Sequence, residues 1–269
     1  MAIIYHYCSP ETFQKIIENK TLLLSATNNM NDFAEGKWVE NALGRVLNKI
    51  VNEGNKEWCD TLWNTVVGNN QPTYVACFSK DGDSLSQWRA YAQDGEGLAI
   101  GFDEDNFGIG TGMPVWHASD INHSIKLNDI AYINVDDLER EISSFINNDR
   151  GMYNVDNILD LSLKISHLAI TVKNPAFKEE KEKRIIYKAL IVIDGNEKTK
   201  ENFPSLGNVM HRVSNGYLTS YFNFTFKPDV IKEIVLGPKN KFNKDDTSLF
   251  LKINKLDSVM IKRSTATYR

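Results

Sequence analysis

Gln87, Arg89 and Tyr91 place three hydrogen-bonding side chains around Trp88 on one short stretch of this chain. An arginine there needs a carboxylate, a phosphate or a ring of carbonyls to hold. A second group, His6-Tyr7-Cys8, closes the apolar opening stretch. Its imidazole could hold a ligand hydroxyl or be satisfied by the protein backbone. A third, Met30-Asn31-Asp32-Phe33 with Glu35, offers two carboxylates and an amide for a ribose or a cation. It could equally be a turn before a helix, whose N-terminus favours acids. The fourth is Lys178-Glu179-Glu180-Lys181-Glu182-Lys183-Arg184, just ahead of the apolar run Ile185–Ile193. Carboxylates at the mouth of a buried strand can stabilise developing positive charge. The same residues also read as an exposed helical turn, laced by Glu180–Arg184 and Glu179–Lys183 pairs at i,i+4.

Other chemistries lack their signatures. There is no GxGxxG and no P-loop, and Gly108-Ile109-Gly110-Thr111-Gly112 has no lysine to reach a phosphate. His117 and His123 are six apart, which is not a metal-ligand spacing on one helix, and no metal site is expected. No GxSxG elbow presents a serine nucleophile. Cys8, Cys59 and Cys77 are odd in number, widely spaced and set in apolar surroundings. That fits reduced thiols better than disulfides, zinc ligands or a nucleophile.

These groups must be positioned by ordinary elements. The opening reads strand, helix, strand: Ile3–Cys8, a helix started by Ser9-Pro10 with Phe13, Ile16 and Ile17 on one face, then Thr21–Ser25. Trp38 through Val51 and Trp58 through Val66 carry helical periodicity. Thr73–Ser79 is a strand leading to Ser84, which forms a capping box with Gln87. The helix so begun carries Leu85, Trp88 and Ala92 on its core face and is stopped by Asp94-Gly95, before a buried strand Leu98–Phe102. Phe107–Asn122 is irregular, Ile130–Val135 strand-like, and Leu138–Ile146 and Ile158–Ile170 helical. Strands at 185–193, 209–214, 217–226 (around an Asn215-Gly216 turn), 231–236 and 257–261 fill the last third. The fold class expected is α+β: one domain over 1–269, a mixed, largely antiparallel sheet, and helical insertions at about 35–68 and 136–172.

Composition agrees. A chain of 269 residues with 42% hydrophobic and 25% charged residues is long enough for a substantial core. A formal charge of −4 gives no global case for nucleic acid. The opening MAIIYHYCSPE lacks a basic n-region, and Ile185–Ile193 is too short to span a bilayer. A cytoplasmic location with no membrane partner is expected.

The ordered blocks IYHYCSPETFQKIIENKTLLLS, CFSKDGDSLSQWRAYAQDGEGLAIGFD, NPAFKEEKEKRII, IKEIVLGPK and IKRSTATYR resemble, over nearly the whole chain, a large group of uncharacterised bacterial proteins. Their shared domain is catalogued only as a domain of unknown function. The S-x-W-R-x-Y-A and F-x-x-E-x-E-x-R stretches are the distinctive ones. The strand His6, the capped helix at Ser9-Pro10 and the late Glu180-Lys181-Glu182 are also similar to ADP-ribosyltransferases of the His–Tyr–Glu type. That resemblance implies split sheets and NAD as substrate. It gives His6 the nicotinamide ribose, Arg89 the pyrophosphate, and Tyr91 or Trp88, next to Tyr7, the nicotinamide pocket. Glu182 would be the catalytic carboxylate, and Glu180 would orient or deprotonate the acceptor. Phe33, Trp88 and Tyr91 compete for the stacking aromatic. The function implied is an NAD-consuming transferase or glycohydrolase of the toxin or anti-phage effector kind. Its acceptor would be a protein, a nucleic acid or water, and an antitoxin or immunity partner would accompany it.

Two alternatives stand beside it. One is a non-catalytic nucleic-acid- or protein-binding sensor gripping its partner with Arg89, Trp88 and the basic residues Lys252, Lys255, Lys262, Arg263 and Arg269. The other is a metal-dependent nuclease using Asp32, Glu35 and the Glu179–Glu182 cluster.

Overall fold

Strand β1 (Ile3–Cys8) opens the chain and leads through Ser9, whose hydroxyl accepts the Thr12 N–H at 3.1 Å, into α1 (Pro10–Asn19). Phe13, Ile16 and Ile17 bury one face of α1, and Lys20, at φ 53°, turns the chain into β2 (Thr21–Ala26). Helices α2 (Ala34–Ile50) and α3 (Lys56–Gly68) follow. Next come β3 (Thr73–Ser79), the short α4 (Leu85–Tyr91) and the fully buried β4 (Leu98–Asp103). Then β5 (Ile125–Asp129), β6 (Ala131–Tyr132), α5 (Val135–Asn147), α6 (Ile158–Thr171) and β7 (Val172–Lys173) lead to β8 (Glu182–Lys188). The chain ends with β9 (Met210–Ser214), β10 (Tyr217–Thr225), β11 (Ile231–Leu236), α7 (Lys244–Ile253) and β12 (Met260–Arg263). The computed structural model describes residues 2–29, 34–68, 73–115, 119–147, 153–189, 191, 205–214 and 216–266. Asp32, Phe33, His117, Asn215 and Arg269 lie outside the described residues.

The chain gathers into two units. The first comprises 1–25, 74–128 and 179–269, and the second 26–73 and 129–178. The fold class is α+β with a mixed, largely antiparallel sheet, as the sequence predicts. Ten strands run in the order β12-β11-β4-β1-β3-β2-β10-β9, with β8 on β3 and β5 on β8. Most of the registered pairings are antiparallel, whereas β11 and β12 are parallel. Strand β3 bonds three others, β1, β2 and β8. A strand has two edges, so two of those partners share one edge and the sheet forks at β3. The tip of the fork is Tyr5 opposite Ser79. Phe78, Phe102, Phe107 and Phe226 pack edge-on and offset around one another in this unit. The second unit is helical. Val39, Leu43, Trp58, Leu62, Leu138, Ile142 and Ile165 form its core, and it holds both helical insertions expected from the sequence.

Four local expectations are corrected. Ser84 precedes α4 as its N-cap but makes no side-chain cap bond; its hydroxyl pairs with Ser86 Oγ at 3.0 Å and its N–H donates to the Tyr7 hydroxyl. The strand read at Ile130–Val135 is confined to the two-residue β6, Ala131–Tyr132, and α5 already begins at Val135. The strand read from Ile185 begins at Glu182, so the Glu180–Arg184 helical pairing does not form. Helix α7 was not anticipated; Asn243, accepting from Asp245 N–H at 2.8 Å, was its signal.

Candidate functional site

Three of the groups singled out by type, His6–Cys8, Gln87–Tyr91 and Glu179–Arg184, lie in the first unit, whereas Met30–Phe33 of the remaining group fall outside the described residues. Successive residues of a strand point to opposite sides. His6 and Tyr7 therefore leave β1 in opposite directions, and no ligand on one side of β1 meets both rings.

On one side, His6 is half-buried, and its Nδ1 meets the Cys77 carbonyl at 3.0 Å, one residue beyond the Tyr5–Ser79 pair. A carbonyl only accepts, so Nδ1 carries the proton and Nε2 is left as an acceptor. Burial lowers the imidazole below its ordinary value, opposed by the Cys77 bond and reinforced by the Arg212 charge. The ring also lies edge-on to Phe78 at 5.9 Å. A histidine that presents Nε2 as an acceptor at a sheet fork suits a hydroxyl ligand.

On the other side, Tyr7 packs edge-on against Trp88, centroids 4.7 Å apart. Its hydroxyl donates to the Asp81 carbonyl at 2.7 Å and accepts from Ser84 N–H at 3.0 Å. Burial raises its pKa, as do the nearby Asp81 and Asp83 charges. Trp88 is 0% exposed, with Nε1 donating to Asp83 Oδ1 at 2.8 Å. Asp83 also accepts from Ser264 Oγ, from Thr265 N–H at 2.7 Å and from Thr265 Oγ1 at 2.7 Å. This corrects the expected pocket roles of Tyr7 and Trp88. Both rings are packed and both polar tips are bonded, so they brace the corner and offer no face to a ligand. Gly82 is required there, because a Cβ would stand 2.4 Å from the Tyr5 ring.

Arg89 and Tyr91 sit at the exposed end of α4. The Tyr91 hydroxyl donates to Glu180 Oε1 at 3.2 Å. Glu180 is half-buried, and its carbonyl accepts from Ser79 Oγ at 2.7 Å. Lys181 follows in the left-handed region, φ 47°, with Nζ on Asp81 Oδ2 at 2.9 Å and its carbonyl bonded by Lys80 N–H at 3.0 Å. Glu182 enters β8 and is closed by Arg184, Nε to Oε1 at 2.6 Å and Nη2 to Oε2 at 2.9 Å. Both are buried, at 6% and 1% exposure. An i,i+2 spacing puts them on one side of a strand, which a helical reading of the same residues could not reveal.

The residues the sequence reading passed over are Ser79, Asp81 and Asp83, the last two flanking Gly82 before α4. Among the described residues no cluster of three metal-ligating side chains forms, and Asp32 of the nuclease alternative is not among them. The grip set of the sensor alternative is partly committed inside the fold. Trp88 is buried, Lys262 Nζ donates to Glu233 Oε2 at 2.6 Å, and Arg263 Nη1 donates to the Asn240 carbonyl at 3.0 Å. Among the described residues no helix is long and apolar enough to cross a membrane.

No curated protein and no solved structure matches the chain. The span from α4 to the first half of β8, which begins and ends at this corner, is similar to a family whose model bears the description "Protein of unknown function (DUF2971)", matched over residues 87–185.

Proposed function

We propose that this chain consumes NAD, as an ADP-ribosyltransferase or NAD glycohydrolase. The observation that carries the reading is the fork: the His6 strand and the strand led by Glu180 and Glu182 both bond β3, which ends at Ser79. Two strand spacings are about 10 Å, a span that one nicotinamide riboside covers. In this reading the His6 Nε2 accepts a hydrogen bond from a ribose hydroxyl. The bond from C1′ to nicotinamide breaks, and its electron pair leaves with the nicotinamide. The ribose carries the resulting oxocarbenium-like charge until an acceptor oxygen or nitrogen attacks C1′ and gives its proton to a carboxylate. The resemblance implied Glu182 for the reacting role. Both oxygens of Glu182 already serve Arg184, so Glu180 is the carboxylate able to approach, and Glu182 holds the start of β8. Arg89 supplies counter-charge for the pyrophosphate. Catalysis of this kind needs positioning and charge stabilisation more than a strong nucleophile.

The test is incubation with NAD labelled in its adenylate phosphate, alone and with protein, DNA and RNA. The label is expected on one acceptor, or in free ADP-ribose. Intact NAD after prolonged incubation with all of them would remove the reading. Expression in bacteria should also arrest growth, as the toxin or anti-phage effector role requires; unimpaired growth at full expression would count against that role.

A further inference from the structure

The W-x-x-Y spacing of α4 has a use that core packing does not explain. Trp88 is fully buried and anchored to Asp83, so the short helix is fixed at that residue. Three residues on, Tyr91 shares the adjoining face of the helix, remains 41% exposed, and ends on Glu180. Glu180 is restrained from its other end too. Ser79 holds its carbonyl, and the next residue, Lys181, keeps a left-handed backbone while its ammonium is tied to Asp81. A lysine in that conformation costs about 1 kcal/mol relative to glycine and persists only where surroundings impose it. The backbone ties fix where Glu180 leaves the chain. They do not reach its carboxylate, which has three rotatable bonds; the Tyr91 hydroxyl bonds that carboxylate directly.

We propose that Tyr91 is a positioning residue for the Glu180 carboxylate, with the Trp88-anchored helix α4 as its bracket. This rests on the NAD-consuming reading for its kinetic consequence, but the structural claim stands apart from it. The phenol donates to one carboxylate oxygen, Oε1, and so sets the direction in which the carboxylate faces.

The experiment uses the full chain carrying Tyr91→Phe, which keeps the ring and removes the donor. The exposed site should leave thermal unfolding within about 1 °C of wild type. With NAD as substrate, nicotinamide release should fall about tenfold in kcat with KM changed less than twofold. Tyr91→His, which restores a donor, should recover part of the loss. In a Glu180→Asp background the Tyr91→Phe change should cost less than twofold, because the residue it acts through is already displaced. Crystals of Tyr91→Phe should show the Glu180 carboxylate rotated or split between rotamers. A Glu180 side chain unmoved in those crystals would overturn the proposal whatever the kinetics. So would an unchanged kcat, or an equal loss in the Glu180→Asp background. Should wild type release no nicotinamide, the NAD reading fails, and the crystal result alone decides Tyr91.

Discussion

Asp83 accepts four hydrogen bonds from Trp88, Ser264 and Thr265, and so ties the approach to α4 to the end of β12. Asparagine would turn an amide N–H toward donors that need an acceptor, so Asp83→Asn should cost about 2–3 kcal/mol in urea unfolding at pH 7. Burial alone would raise this carboxyl, but the donors outweigh it and hold it below its ordinary range. A folded value below the unfolded one contributes stability above about pH 4 that is lost as pH falls through the folded value, and the variant should lack that loss. His6 has the same sign from the opposite charge. Burial lowers its folded value, so the unfolded chain binds the proton first and stability drops as pH falls below about 6.5. His6→Asn keeps a donor for the Cys77 carbonyl and should flatten that part of the stability curve; a curve identical to wild type would refute the assignment. The residue types were legible in the sequence, but their commitments were not. One commitment could have been read: consecutive residues of a strand cannot both face one ligand, which separates His6 from Tyr7 without coordinates.

The start of β8 sets the two carboxylates apart: Glu182 bonds Arg184 and Glu180 bonds Tyr91. Glu182→Gln removes the charge from a buried carboxylate that Arg184 bonds with two nitrogens and should destabilise by about 3 kcal/mol, whereas Glu180→Gln should stay within about 0.5 kcal/mol. Equal costs in denaturant unfolding would contradict this division. Periodicity made most elements legible, as for β1, α1, β2, α2, α3, α5, α6 and β11. It failed at this one because KEEKEKR satisfies helical i,i+4 pairing locally, while the pairing of β8 with β3 and β5 comes from residues far away in sequence. Helix α4 was found by its Ser84 start even though the predicted capping bond is absent; the Asp83–Trp88 bond and the buried indole fix it instead.

Across the molecule, the fork at β3 was the least legible feature and the one on which the functional reading depends. It joins segments from residues 3–8, 73–79 and 182–188, and no local pattern encodes which strands share an edge. Saturating NAD should slow amide hydrogen exchange in β1, β3 and the start of β8, while α5 and α6 of the second unit exchange as before. Uniform protection of all helices and strands, or none, would disagree with a site at the fork. The most direct measurement is nicotinamide release from NAD by wild type and by Glu180→Gln at matched folded concentration. Steady release by wild type and loss of at least a hundredfold in the variant is the predicted result. Equal release by both would contradict the role of Glu180, and no release by either would contradict the NAD-consuming function itself.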